Sequence, residues 1–159
     1  MSELNGRLRP VGSVAILVSR YNEAVTARLL DGALACCDAA GIPRERVDVV
    51  WVAGAFELPV AAEAAAATGR YAAIVALGCV IRGETPHFEY VAGEAARGLG
   101  NVALAHRLPV GFGVLTTETL AQARARAGGA AGDKGYEAAE AALATAEVLA
   151  RLSGAAPRD

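Results

Sequence analysis

Apolar residues gather in four short runs, at 14–18, 47–52, 72–81 and 110–115, rich in valine, isoleucine and leucine. The runs do not alternate strictly with polar positions, which is how strands covered on both faces of a parallel sheet read. Segments with helical spacing separate them. In the first, Val25, Leu29, Ala33, Cys37 and Ala40 share one side, and Gly41 followed by Pro43 ends it. The second spans about 57–68 and stops at Gly69. The third opens at Thr85 and Pro86, with the threonine as N-cap and the proline in the first helical position, and runs on toward His106. After the fourth run come a short helix over about 118–127, a break at Gly128 and Gly129, and a last helix over about 133–152.

Strand and helix alternate four times and a helix closes the chain. This order predicts an α/β fold, a three-layer α/β/α sandwich around a four-stranded, mainly parallel sheet with right-handed crossovers. The 159 residues suit one domain, placed at 13–152, with an N-terminal arm over 1–12 and a C-terminal tail over 153–159. Hydrophobic residues make up 54%, yet much of that share is alanine and no stretch approaches the length of a spanning helix, so no membrane partner is expected. The net charge of −2 and the absence of a basic run argue against nucleic acid. Three cysteines, two of them adjacent at Cys36 and Cys37, have neither disulfide nor metal-ligand spacing and read as reduced, buried residues. No apolar core follows the first charges of residues 1–10, so the expected compartment is the cytoplasm. With only 20% charged residues to coat the surface, some apolar surface is expected to meet another copy of the chain.

In a parallel sheet the ligand sits beyond the carboxyl ends of the strands. Those ends carry Ser19 to Asn22, Gly54 to Glu57, Gly78 to His87, and Thr116 with Thr117. Gly83 and Thr85 at a helix start offer backbone N–H groups and a hydroxyl to an anion, or form an ordinary cap. His87, in the first helical turn, faces the positive end of the helix dipole, which favours a neutral, proton-accepting ring. His106, late in the same helix, reads as structural. Tyr21 follows directly on a strand end and suits either stacking on a planar ring or covering the core. Glu57 can accept hydrogen bonds from polyol hydroxyls or favour a helix N-terminus. Phe112, inside the fourth run, reads as core. Arg124, Arg126 and Lys134 flank the glycine-rich stretch, as solvated charges or as a grip on phosphate. Neither a Walker motif nor GxGxxG is present, which lowers the case for nucleotides.

At these loops the sequence resembles the 6,7-dimethyl-8-ribityllumazine synthase family of riboflavin biosynthesis. The matching segments are SRYN (19–22), GAFELP (54–59), ALGCVIRGETPHFEYV (76–91), PVGFGVLTTE (109–118), RAG (126–128) and GDKG (132–135), in the family's order and spacing. The resemblance implies a flavodoxin-like sheet and a transferase-type condensation. In that reaction 5-amino-6-(D-ribitylamino)uracil joins 3,4-dihydroxy-2-butanone 4-phosphate, releasing phosphate and water, with no metal and no cofactor. Carried over by position, Tyr21 would stack on the pyrimidine with Asn22 beside it. Ala55, Phe56 and Glu57 would hold the pyrimidine and its ribityl chain, and Cys79, Val80 and Ile81 would line the same pocket through backbone groups. Glu84 and Thr85 would contact the butanone phosphate, with Arg126 as cationic anchor and Lys134 nearby, and His87 would move protons. Phe112 would close over the pyrimidine from the adjacent subunit.

Three departures stand out. Glu84 puts a carboxylate at a phosphate contact and is expected to point it away. Asp133 stands where Asn is common, and pairing with Lys134 or Arg126 would soften the hold on phosphate. Tyr21 replaces the more usual phenylalanine and keeps the ring. The resemblance further implies a homo-oligomer with sites at subunit interfaces: a pentamer, alone, paired as a decamer, or closed into an icosahedral shell. The short break over 127–133 leans toward the shell. A carrier that binds flavin or lumazine without catalysis is the main rival; a signalling receiver domain lacks its acidic cluster at 19–22, and a purely structural shell protein has no use for Glu57, Thr85 and His87 on one rim.

Overall fold

A computed structural model describes residues 1–154; most of the expected C-terminal tail, 155–159, lies outside the described residues. Four strands, β1 (Ser13–Ser19), β2 (Val47–Val52), β3 (Tyr71–Ile81) and β4 (Val110–Thr117), form one sheet in the order β2-β1-β3-β4. All three pairings are parallel, with Val14 opposite Val47 and Ala73, and Ile74 opposite Val110. Five helices cover it: α1 (Glu23–Ala39), α2 (Leu58–Ala67), α3 (His87–His106), α4 (Leu120–Ala125) and α5 (Lys134–Leu152). The expected α/β/α sandwich is the observed one.

Burial explains the unbroken apolar runs of β1 and β3, whereas β2 is only partly buried. Val14, Ile16, Val18, Val75 and Leu77 point into a core shared with Leu29 of α1 and Leu143 of α5. Their alternating neighbours Ala15, Leu17, Ile74 and Ala76 fill a second core with Leu58 of α2 and Leu99 of α3. A strand buried on both faces has no place for a polar side chain, so period-2 alternation disappears. α1 is capped by Ala40, after which Gly41 takes φ +75° and the N–H of Ile42 closes on the carbonyl of Cys37 at 3.0 Å. That left-handed step is the conformation glycine adopts without a Cβ penalty.

Three local expectations need correction. Thr85 caps nothing: Pro86 holds the cap position of α3, with no capping side chain, and its carbonyl accepts from Glu89 N at 3.0 Å. The glycine break after α4 is a small antiparallel hairpin, β5 (Ala127–Gly129) with β6 (Gly132–Asp133), in which Gly128 and Gly132 take positive φ. β4 also runs past Leu115, because Thr116 and Thr117 pair with Val80 and Ile81.

Candidate active site

The carboxyl ends of β2, β1 and β3 lie side by side and build one rim. Beyond Ser19 the backbone of Arg20 and Tyr21 still donates to Val52 O and Ala53 O, at 2.8 and 3.0 Å. Tyr21 is thereby carried past the sheet, and 73% of its surface is exposed, so it does not cover the core. Asn22 then turns the chain with φ +61°, a left-handed step that asparagine tolerates better than most residues. Its side chain leaves the helix uncapped and donates instead from Nδ2 to Cys79 O at 2.9 Å, tying the end of β1 to the end of β3.

From β2 a short 3-10 helix, Ala55–Glu57, leads into α2. Ala55 and Leu58 are buried and anchor it, which pushes the Phe56 ring outward to 58% exposure. Glu57 Oε2 accepts from Gly54 N at 2.9 Å, so the carboxylate already holds its own loop. Of the two sequence readings of Glu57, this contact is the helix-start one; the residue stands on the rim beside Phe56.

β3 supplies the third wall. Its ladder with β1 ends at Val18 and Leu77, whereas its ladder with β4 continues to Ile81 and Thr117. The β1-facing backbone of Cys79 and Ile81 thus reaches past the end of β1; Cys79 O accepts from Asn22 Nδ2, and the remaining groups are placed where a ligand's polar edge can pair with them, while the backbone of Val80 faces β4. Cys79 itself is buried, and burial pushes its thiol up to about 11, a neutral group at ordinary pH. Glu84, Thr85 and His87 follow in the exposed turn that opens α3, with His87 as the first helical residue.

The remaining expected residues lie elsewhere. Arg126 ends α4, its Nη1 donating to Gln122 O at 3.0 Å. Lys134 begins α5 and pairs with Glu137 at 2.5 Å. Asp133 joins neither cation; its carboxylate caps α5, accepting from Gly135 N at 3.0 Å and Tyr136 N at 3.1 Å. A helix start with orphan N–H groups competes for that carboxylate and wins over an exposed ion pair.

Phe112, read as core from its place in a strand, is 51% exposed, because β4 is an edge strand. It lines an open groove of about 880 Å³ between α3 and α5, with Leu104, Val110, Ala138, Ala141 and Lys134. In register it sits opposite Ala76, three residues or roughly 10 Å along β3 before Cys79. One chain therefore gathers Tyr21, Asn22, Ala55, Phe56, Glu57, Cys79, Val80, Ile81, Glu84, Thr85 and His87 on one rim, and presents Phe112 with Lys134 at the far edge of its sheet.

Two features of the rim escaped the sequence reading. Ser19 Oγ is fully buried under it with no protein partner. Arg82 and Glu118 pair across the ends of β3 and β4; no spacing rule links residues that meet only when two strands run parallel. Among the described residues no cluster of metal-ligating side chains occurs, and no helix is long and apolar enough to cross a membrane.

A profile of the 6,7-dimethyl-8-ribityllumazine synthase family matches residues 12–150. The match covers all four strands and nearly all of the closing helix, and the chain belongs to that family.

Proposed function

We propose that this member of the lumazine synthase family is a cytoplasmic transferase-type enzyme that condenses 5-amino-6-(D-ribitylamino)uracil with 3,4-dihydroxy-2-butanone 4-phosphate, yielding 6,7-dimethyl-8-ribityllumazine, phosphate and water. The observation that carries the reading is the single rim on which two exposed aromatic rings, a carboxylate, unladdered β3 backbone and the turn before α3 stand together. Tyr21 stacks on the pyrimidine, Phe56 and Glu57 hold its ring and ribityl chain, and backbone groups of Cys79 and Ile81 pair with its polar edge. The backbone of Glu84 and Thr85 receives the phosphate, with Arg126 and Lys134 as cations.

The chemistry asks little more of the protein. An amine of the pyrimidine attacks the ketone and gives an imine, phosphate leaves by elimination, and the second amine closes the ring. The nucleophile comes from the substrate, so orientation, stabilisation of the departing anion and a proton shuttle at His87 suffice.

The separation of Phe112 from the rim supports a homo-oligomer in which Phe112 of one copy closes the pyrimidine site of the next. The outer edge of the sheet at β2 exposes Val49 and Val50, and α3 exposes Tyr90 and Leu104, so both flanks of the chain carry apolar surface suited to a closed ring. Pentamers, with decamers or shells built from them, are the expected assemblies. Mixing purified protein with both substrates and following lumazine absorbance tests the activity. Product formed faster than in protein-free buffer supports it; substrate or lumazine binding without turnover identifies a carrier and overturns it.

A further inference from the structure

The three residues that carry the chain off the end of β1 are stitched to both neighbouring strand ends. Toward β2 the stitches are backbone, Arg20 N and Tyr21 N donating to Val52 O and Ala53 O. Toward β3 the stitch is a side chain, Asn22 Nδ2 donating to Cys79 O at 2.9 Å. It bridges the two strands beyond their last ladder pair, Val18 with Leu77. Next in line come Ser19 and Gly78, which bring a fully buried hydroxyl with no partner among the described residues and a Cα without a side chain. Side-chain bonding across this seam therefore falls to Asn22.

The stitch comes at the expense of local comfort. An asparagine before a helix ordinarily takes extended backbone and caps the first turn with its side-chain oxygen. Asn22 instead holds φ +61° and ψ +44° and caps nothing; the N–H groups of Val25 and Thr26 close on its carbonyl, at 2.9 and 3.1 Å. The left-handed step turns the amide across to β3. A non-glycine residue persists in that region only where its surroundings fix it, and such residues gather at functional sites. Here Thr26 Oγ1 also donates to Ser19 O at 2.7 Å, which pins the end of β1 to the first turn of α1.

Neighbouring strands lie about 4.8 Å apart, so a planar ligand stacked on Tyr21 with its polar edge against β3 spans this seam. Resting on the functional reading above, we propose that Asn22 is a positioning residue for the pyrimidine: it sets the separation between the Tyr21 ring and the β3 backbone, and its amide is spent on Cys79 O and not on the substrate. With Cys79 O occupied, the β1-facing N–H and C=O of Ile81 are left to meet the ligand's edge.

Titration calorimetry of the full chain with the pyrimidine substrate alone, and steady-state kinetics with each substrate varied in turn, test this. Asn22→Asp keeps the shape and the acceptor Oδ1 but sets a second acceptor against Cys79 O. It should raise Kd and KM for the pyrimidine roughly tenfold or more, the scale expected when a binding group is misplaced by an ångström, and leave KM for the phosphorylated ketone within about twofold. Asn22→Gly loses the stitch yet adopts the left-handed step freely. It should show the same split with Tm within about 4 °C of the parent, a combination that a merely structural role would not produce.

Parental affinity in Asn22→Asp beside a loss in Asn22→Gly would make Oδ1 a direct substrate contact. Parental affinity in Asn22→Gly would show that Tyr21 and Ile81 keep their spacing unaided, and equal rises in both KM values would reduce Asn22 to a structural role. Each of these results overturns the proposal, and Asn22→Gly carries the test if Asn22→Asp fails to fold. A parent protein that neither binds the pyrimidine nor forms product brings down the functional reading; a parent that does both, with variants at its own Kd, brings down the positioning role alone.

Discussion

Gly135→Ala should be among the most damaging single-methyl additions in the chain. At the start of α5 this glycine packs against α1, where an added Cβ would lie 1.9 Å from Leu29 O and 2.6 Å from its carbonyl carbon. Real Cβ contacts do not fall below 3.0 Å, and the obstacle is backbone, so α1 and α5 must part by at least about 1.1 Å. A gap of that size forfeits about a quarter to a half of each dispersion contact across the seam, which is formed by Leu29, Ala33, Cys36, Ala139 and Leu143. Alanine's better helix propensity returns at most about 1 kcal/mol. A net cost near the top of the overpacking range, about 3 kcal/mol, follows. For a chain of this size that is a drop in Tm of about 6–12 °C. Gly32→Ala, across the same seam, provides the comparison. Its Cβ would meet Asp133 Oδ1 at 2.3 Å, but a side chain can swing away by giving up its cap on α5. The expected cost is therefore about 1 kcal/mol. Thermal unfolding followed by far-UV circular dichroism, at one fixed protein concentration because self-association shifts Tm, gives the order. Gly135→Ala within 2 °C of the parent, or Gly32→Ala the more damaging, would refute the packing argument.

Three further outcomes follow from the site and the core. His87→Ala should lower kcat by about a hundredfold, the low end of the range for a lost proton shuttle, and remain more active than Thr85→Ala combined with Arg126→Ala; equal inertness in a stopped assay would contradict that ranking. Tyr21→Ala and Phe112→Ala, each impaired alone, should recover up to about a quarter of parental activity when unfolded together and reassembled, since a random ring leaves that share of interfaces intact; no recovery would place both rings in one chain's site. Burial pushes Cys79 and Cys37 up to about 11, and burial with the neighbouring Cys37 thiol pushes Cys36 to about 12. The unfolded chain would release these protons from about pH 9, so stability is full below that and falls as pH climbs toward 11; urea midpoints at pH 8 and 10.5 should diverge less in Cys36→Ala combined with Cys79→Ala, and an unchanged gap would exclude the thiols as the cause.

The sheet was legible because its two central strands, β1 and β3, are buried on both faces. Val14 to Val18 serve two cores, so the run could contain nothing polar, and the helices between runs had to cover both faces. What stayed hidden were features decided by competition for backbone groups. Thr85 has the chemistry of a cap, but Pro86 occupies the cap position, and the carbonyl of Pro86 rather than a side chain receives the N–H of Glu89. Asp133 has the charge to pair with Lys134 or Arg126, but the orphan N–H groups of α5 claim it first. Charge and spacing alone rank such options wrongly, because a helix terminus offers two donors in fixed geometry while an exposed ion pair must hold a long, solvated side chain in place.

Phe112 shows the same limit at the next level of structure. Inside an apolar run between Val110 and Leu115, an aromatic residue belongs to the core unless the strand is an edge, and a single chain's local pattern does not say which strand is outermost. The order β2-β1-β3-β4 puts β4 there, and its ring emerges into the groove beside Lys134. An exposed ring and lysine on one flank, with two exposed rings and a histidine on the strand-end rim, are poor surfaces for a solitary protein. They make sense together if each copy contributes a flank to its neighbour's rim. In that arrangement assembly is itself a condition for catalysis, and replacing Phe112 with aspartate should cost the oligomer and the activity at the same protein concentration. Sedimentation velocity and turnover measured on the same dilution series would decide it: activity that survives in a species of monomer mass would show that one chain holds a complete site.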